Sequence, residues 1–203
     1  MPKHIHKFAA SSVATLLILV AVVSGCRQAD PWHLVDMEGR LPPLAFNMTS
    51  ATDGKPVTAD AFRGKVVVLE FGYTSCPEIC PTTLFNLSKV LHDLGDRAQN
   101  VVVLFVTVDP DRDTAEVLKQ YAGYFSPQVI GLRGTPNQLA SLARRYRVAY
   151  SVKPLNNGQD FEVMHTTTLF IFDQSGDIRL LAPNNDDTAA MEHDLRVLAA
   201  PAS

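Results

Sequence analysis

The sequence predicts an α/β fold, a central mixed sheet flanked by helices with an N-terminal extension. Three observations carry that prediction: short β-branched runs without polar alternation, helix-period segments between them, and a hairpin near the C-terminus. Val66-Val67-Val68-Leu69-Glu70-Phe71 is a nearly continuous apolar run, as a strand covered on both faces requires. Thr52-Asp53-Gly54-Lys55 before it reads as a tight turn. Leu84, Leu87, Leu91 and Leu94 recur at helical spacing, so Thr82 to Leu94 is read as a helix. Val101 to Val108 repeats the buried-strand pattern. Asp113 to Tyr124 reads as a helix with Asp113 as N-cap and Glu116 three residues on. Ile130-Gly131-Leu132 is a brief strand. Thr135-Pro136-Asn137-Gln138 is a capping box with proline in the first turn, opening a helix to about Tyr146. Thr167 to Phe172 is a strand, Asp173 to Asp177 a loop and Ile178 to Leu181 the return strand. A last helix runs from about Asp187 to Leu198.

Composition narrows the function class. A hydrophobic fraction of 46% and a charged fraction of 19% describe a packed core and exclude a disordered chain. A net charge of −3 supplies no basic surplus, so nucleic acid is not an expected partner. Three cysteines are too few for a disulfide-stapled scaffold but enough for one reactive pair and one cysteine with another task.

Residues 1–25 have the layout of an export signal: Lys3 and Lys7, a mostly apolar run from Phe8 to Val23, then Ser24-Gly25. Val23-Ser24-Gly25-Cys26 resembles a bacterial lipobox. Cys26 is therefore assigned to lipidation, and Cys76 and Cys80 are left for chemistry; an uncleaved signal anchor is the alternative. Both place the protein outside the cytoplasm, tethered to a bacterial membrane. Arg27 after Cys26 leans toward the outer membrane by the usual sorting rule. Residues 26–43, with Pro31, Gly39, Pro42 and Pro43, read as a tether, and 44–203 as the domain.

The strongest chemical signal is Cys76-Pro77-Glu78-Ile79-Cys80-Pro81, between a strand and a helix. Residues i and i+4 share a helix face, and free N–H groups at a helix start favour the thiolate. Thiolate is the form that binds metal and attacks disulfides. The residues alone leave three uses open: a metal pair, a redox pair, or a local disulfide stapling a loop.

Four segments carry a family likeness: FGYTSCPEICPTTL (71–84), LFVTVDPDRDT (104–114), GLRGTP (131–136) and MHTTTLFIFD (164–173). Together, over roughly residues 44–183, they resemble the Sco/SenC family of copper-binding proteins. The resemblance implies a thioredoxin-like fold, copper as cofactor or cargo, and Cys76, Cys80 and His165 as ligands. It also implies a role in building the dinuclear copper centre of cytochrome c oxidase, with subunit II or another copper acceptor as partner. A copper donor chaperone or a thioredoxin-like reductant would be a further partner. Soft thiolates suit Cu(I), and two thiolates with one imidazole leave copper under-coordinated, as a carrier needs. A structural zinc site would want a fourth protein ligand. The other histidines are set aside: His4 and His6 with the signal, His33 in the tether, His193 in the final helix. His92 lies about 18 Å along the helix axis from Cys80 at ~1.5 Å per residue.

Met164 stands where the family usually has Asp before this histidine. A packing role is expected for it, because strand neighbours alternate faces, with a thioether ligand as the alternative. Asp109 and Arg112, after the second buried strand, fall at the sheet end that lines a site, near the metal or on a partner surface. Tyr73 and Thr74 shape the cysteine loop. Two functions remain in view. One is a membrane-anchored copper metallochaperone, a carrier rather than an enzyme. The other is a thiol-disulfide oxidoreductase cycling Cys76 and Cys80, acting on the oxidase subunit or other exported proteins.

Overall fold

The computed structural model describes residues 32–155, 160–183 and 186–200. The signal and Cys26 lie outside the described residues, so their assignment stays an expectation. The main sheet has eight strands: β1 (Val35–Asp36), β2 (Asn47–Ser50), β3 (Pro56–Thr58), β4 (Val66–Gly72), β5 (Val101–Thr107), β6 (Val129–Arg133), β9 (Leu169–Phe172) and β10 (Ile178–Ala182). Their order is β1-β10-β9-β4-β5-β6-β2-β3. β4 pairs parallel with β5, β5 parallel with β6, and β4 antiparallel with β9, so the sheet is mixed as expected. A second, two-stranded sheet pairs β7 (Tyr150–Leu155) with β8 (Asp160–His165). The helices are α1 (Ile79–Leu94), α2 (Ala115–Phe125), α3 (Pro136–Arg145) and α4 (Thr188–Leu198). None of the described helices is long and apolar enough to cross a membrane.

Every residue of β4 and β5 is buried, which is why both read as unbroken apolar runs. Alternation along the strands sends side chains to two cores. Val66, Val68, Val103 and Phe105 face α1, α2 and α4 through Leu84, Leu87, Leu118, Met191 and Leu195. Val67, Leu69, Phe71, Leu104 and Val106 face α3 through Leu139 and Leu142. The predicted capping box at Thr135 forms, with Gln138 reciprocating.

The structure departs from expectation in four places. α2 starts later than predicted: its N-cap is Thr114, whose side chain accepts from Val117 N–H. Asp113 is instead buried, with another task described below. α1 starts earlier than predicted, at Ile79, so Cys80 lies in its first turn. The chain from Trp32 to Pro43, expected to be tether, is laid against the domain. β1 pairs with β10, and the Tyr146 hydroxyl donates to the Pro43 carbonyl at 2.9 Å. His165 ends β8, and core strand β9 starts at Leu169 rather than at the predicted Thr167.

Glu70 is the one acidic residue in β4. Alternation puts it on the α1 face, and its Oε2 has no hydrogen-bond partner among the described residues. Burial, with a lesser push from Cys76, holds its pKa well above the usual carboxylate value, which favours the neutral form in the core. A raised folded-state pKa gives stability that is complete below the unfolded value near 4.5 and is lost as pH rises toward the folded value. Across that window the wild type loses ~1.4 kcal/mol per pH unit from this group. Glu70→Gln should therefore raise the melting temperature at neutral pH and have little effect near pH 4. Parallel melting curves of the two proteins across pH 4–9 check this; a constant offset would remove the assignment.

Candidate metal centre

β4 ends at Gly72, and the chain then turns through Tyr73–Glu78 into α1. Gly72 is required by close approach: a Cβ there would lie 2.5 Å from the Phe105 ring and 2.9 Å from Cys80 Sγ. The loop is held by Asp113, which is 1% exposed. Its carboxylate accepts from Thr74 N–H at 3.0 Å, Thr74 Oγ1 at 2.5 Å and Thr107 Oγ1 at 2.5 Å. Sequence patterning marked Asp113 only as a cap; two threonines within reach of a buried carboxylate were not visible along the chain.

Cys76 sits in the loop and Cys80 in the first turn of the helix, both as thiols. Cys80 N–H donates to Cys76 Sγ at 3.4 Å. Burial opposes ionisation of Cys76, but N–H groups of Cys80, Glu78 and Ile79 outweigh it and bring its pKa below the ordinary thiol value. Cys80 is fully buried. Burial first, and then the proximity of Glu70, push its pKa far up. One thiol is thus poised to ionise while the other keeps its proton until something displaces it.

His165 arrives from the β7–β8 hairpin, where it pairs with Tyr150. Its Nδ1 lies 3.0 Å from the Thr166 carbonyl oxygen, which can only accept, so Nδ1 carries the hydrogen. Nε2 is left with its lone pair, 3.4 Å from Cys80 Sγ. Burial lowers the pKa of His165, partly opposed by the Thr166 bond, so the ring is neutral and open to a metal at neutral pH. One ligand atom each from Cys76, Cys80 and His165 lies within 4.8 Å of the others. The expected trio is therefore brought together, in a thiolate–thiolate–imidazole set that suits Cu(I).

The neighbours divide. Tyr73 stands edge-on to the His165 ring at 5.9 Å. Burial and the Cys76 sulfur raise its pKa, while Arg112 opposes the rise. Asp109 is buried in an ion pair with Arg112. Asp109 thus meets the site only through Arg112, whose charge reaches Tyr73. Met164 is 55% exposed, so the expected packing role is not found. The hairpin forms a two-stranded sheet apart from the main one. Met164 lines the mouth of a cleft of ≈ 410 Å³ together with Cys76, Ile79 and His165. The hairpin itself was missed from sequence, although alternation at Tyr150-Ser151-Val152 and the dipeptide Asn157-Gly158 are its signals.

The sequence pattern of the SCO1/SenC family matches residues 44–200. The mitochondrial protein SCO2 of Saccharomyces cerevisiae is 37% identical over 150 residues, 72% of this chain. The match covers 50% of that relative, so the chain spans half its length. Copper-bound ScoI of Bradyrhizobium japonicum superposes with a TM-score of 0.70 at 35% identity, covering 77% of this chain and 99% of that one. A SCO1/SenC family lipoprotein from Bacillus anthracis gives 0.66 at 25% identity, covering 80% and 98%.

Removing the charge from Asp113 leaves three donors facing a weaker acceptor. Asp113→Asn should cost about 2–3 kcal/mol of stability, as for a charge-assisted network. It should also speed alkylation of Cys76. Urea unfolding and iodoacetamide kinetics measure both; an unchanged alkylation rate would show that Asp113 does not hold the loop.

Proposed function

The chain belongs to the SCO1/SenC family, with its thioredoxin-like fold, and from that premise we propose that it is a membrane-anchored copper carrier. It binds copper through Cys76, Cys80 and His165 outside the cytoplasm and hands it to the dinuclear copper centre of cytochrome c oxidase. The observation that carries this reading is the 3.4 Å approach of His165 Nε2 to Cys80 Sγ, with Cys76 alongside. Two thiolates and an imidazole are soft and incomplete, which favours Cu(I) and leaves a position through which an acceptor's ligand can enter. The copper-bound relative supports the choice of metal, and the Bacillus lipoprotein supports an anchor at Cys26, with residues 1–25 as signal.

The proposed steps use the asymmetry of the two sulfurs. Cys76, half-exposed and with its ionisation favoured by the helix N–H groups, meets the incoming ion first. His165 Nε2 and Cys80 then close around it, and Cys80 gives up its proton only as the metal replaces it. Loading therefore releases a proton and requires both cysteines reduced. Transfer reverses the order, with the exposed Cys76 side released last.

A second reading has its own support. Cys76 has the lowered pKa of an attacking thiol, and Cys80 four residues on is a buried resolving partner. A thiol-disulfide oxidoreductase acting on the acceptor's cysteines needs those two sulfurs and not the imidazole. His165→Ala separates the functions: a carrier loses copper affinity, whereas a reductase keeps most of its turnover.

Titration of the reduced protein with Cu(I) in competition with a chromophoric chelator should show one equivalent bound. Cys76→Ala and Cys80→Ala should each abolish it, and His165→Ala should weaken it. Absence of copper uptake by the reduced wild type would end the proposal. Met164→Leu tests the thioether separately: the exposed Met164 predicts weaker Cu(I) binding in that variant if it ligates, and equal binding removes the idea.

A further inference from the structure

A second cluster of ligand-bearing side chains lies away from the thiols, where the entry segment meets the last helix. Asp194 on α4 is 0% exposed and carries three bonds. Its oxygens accept the His33 N–H at 3.1 Å and the Leu34 N–H at 2.8 Å, fastening the segment that leads into β1. Its Oδ1 also lies 2.8 Å from His193 Nδ1. The ring of His33 stacks on that of His193, with centroids 3.8 Å apart and planes 8° from parallel. A ring nitrogen of each histidine and one Asp194 oxygen fall within 4.8 Å of one another.

The chemistry of these contacts is directional. A carboxylate only accepts, so the hydrogen of His193 must sit on Nδ1, and the lone pair is on Nε2, on the far side of the ring from Asp194. A buried carboxylate behind an imidazole is the arrangement that fixes the tautomer of a metal-binding histidine and raises its basicity. In the stack the lone pairs of the two rings run parallel, so sharing one ion requires the exposed His33 ring to rotate out of it. The set holds nitrogen and oxygen donors and no sulfur. It therefore selects borderline divalent ions, Zn(II) or Cu(II), and not the Cu(I) favoured by thiolates.

We propose that His33 and His193, with Asp194 orienting His193, form a second metal site for such a divalent cation, independent of Cys76, Cys80 and His165. Both imidazoles are ligands, and water completes the shell. An ion held there clamps the segment entering the domain onto α4, adding to the two backbone bonds that Asp194 already makes.

Zn(II) alone is the probe, titrated calorimetrically into the full chain in detergent. The wild type is compared with Cys76→Ser/Cys80→Ser, His33→Ala, His193→Ala and His92→Ala. One Zn(II) equivalent should persist in the double cysteine variant and in His92→Ala, whose exposed histidine lies elsewhere on α1. It should weaken about tenfold or more in His33→Ala and His193→Ala. Loss of all Zn(II) uptake with the cysteines overturns the proposal, as does full uptake in His33→Ala. His33 is on the surface, so that variant decides the question even where the cysteine substitutions disturb folding.

Discussion

Asp113 sits where water does not reach, at the point where the loop after β4 crosses the loop after β5. Its two oxygens take two donors from Thr74 and one from Thr107. A buried carboxylate so paired is costly to disturb, because each orphaned donor would face a low-dielectric interior. The loop from Tyr73 to Glu78 inherits its position from that anchor. So do the direction of α1 and the place of Cys76 relative to the helix N–H groups. The donor set at the site has geometry only because this crossing is fixed.

With the loop fixed, burial makes two cysteines of one motif into different chemical groups. Cys76 gains hydrogen bonds to its thiolate form, and Cys80 loses solvent and faces Glu70. Metal binding at such a pair is also proton release, and reduction of the pair is its precondition. Tyr73 and Met164 line the cleft that holds Cys76 and His165. Carrier and reductase share this cleft and this sulfur asymmetry; what separates them is the imidazole.

The elements most legible in the sequence are those that satisfy themselves locally or are buried on both faces. β4, β5, β6, the Thr135 capping box and the β9–β10 hairpin announce themselves by unbroken apolar runs or by reciprocal caps within four residues. β1, β2, β3 and the β7–β8 hairpin do not. They are short or stand at an edge and carry Pro56, Pro154 and polar residues; β1 and β2 also pair with distant strands β10 and β6. Asp113 shows the same limit in one residue. Its cap-like position before a helix was readable, but its partners Thr74 and Thr107 are supplied by two other segments.

The residue types that bind soft metal and the helix start that activates Cys76 were determined by the sequence itself, since both depend on neighbours a few positions apart. The family likeness, too, lay in the linear order of motifs. Tertiary structure alone decided that His165, 85 residues from Cys80, is the histidine that meets it, and that His33 and His193 meet each other instead. It also decided that Cys80 is buried beside Glu70 and that Met164 faces solvent. Those facts depend on how sheet, hairpin and helix exclude water from one another, and solvent exclusion is a property of packed surfaces that no local spacing encodes.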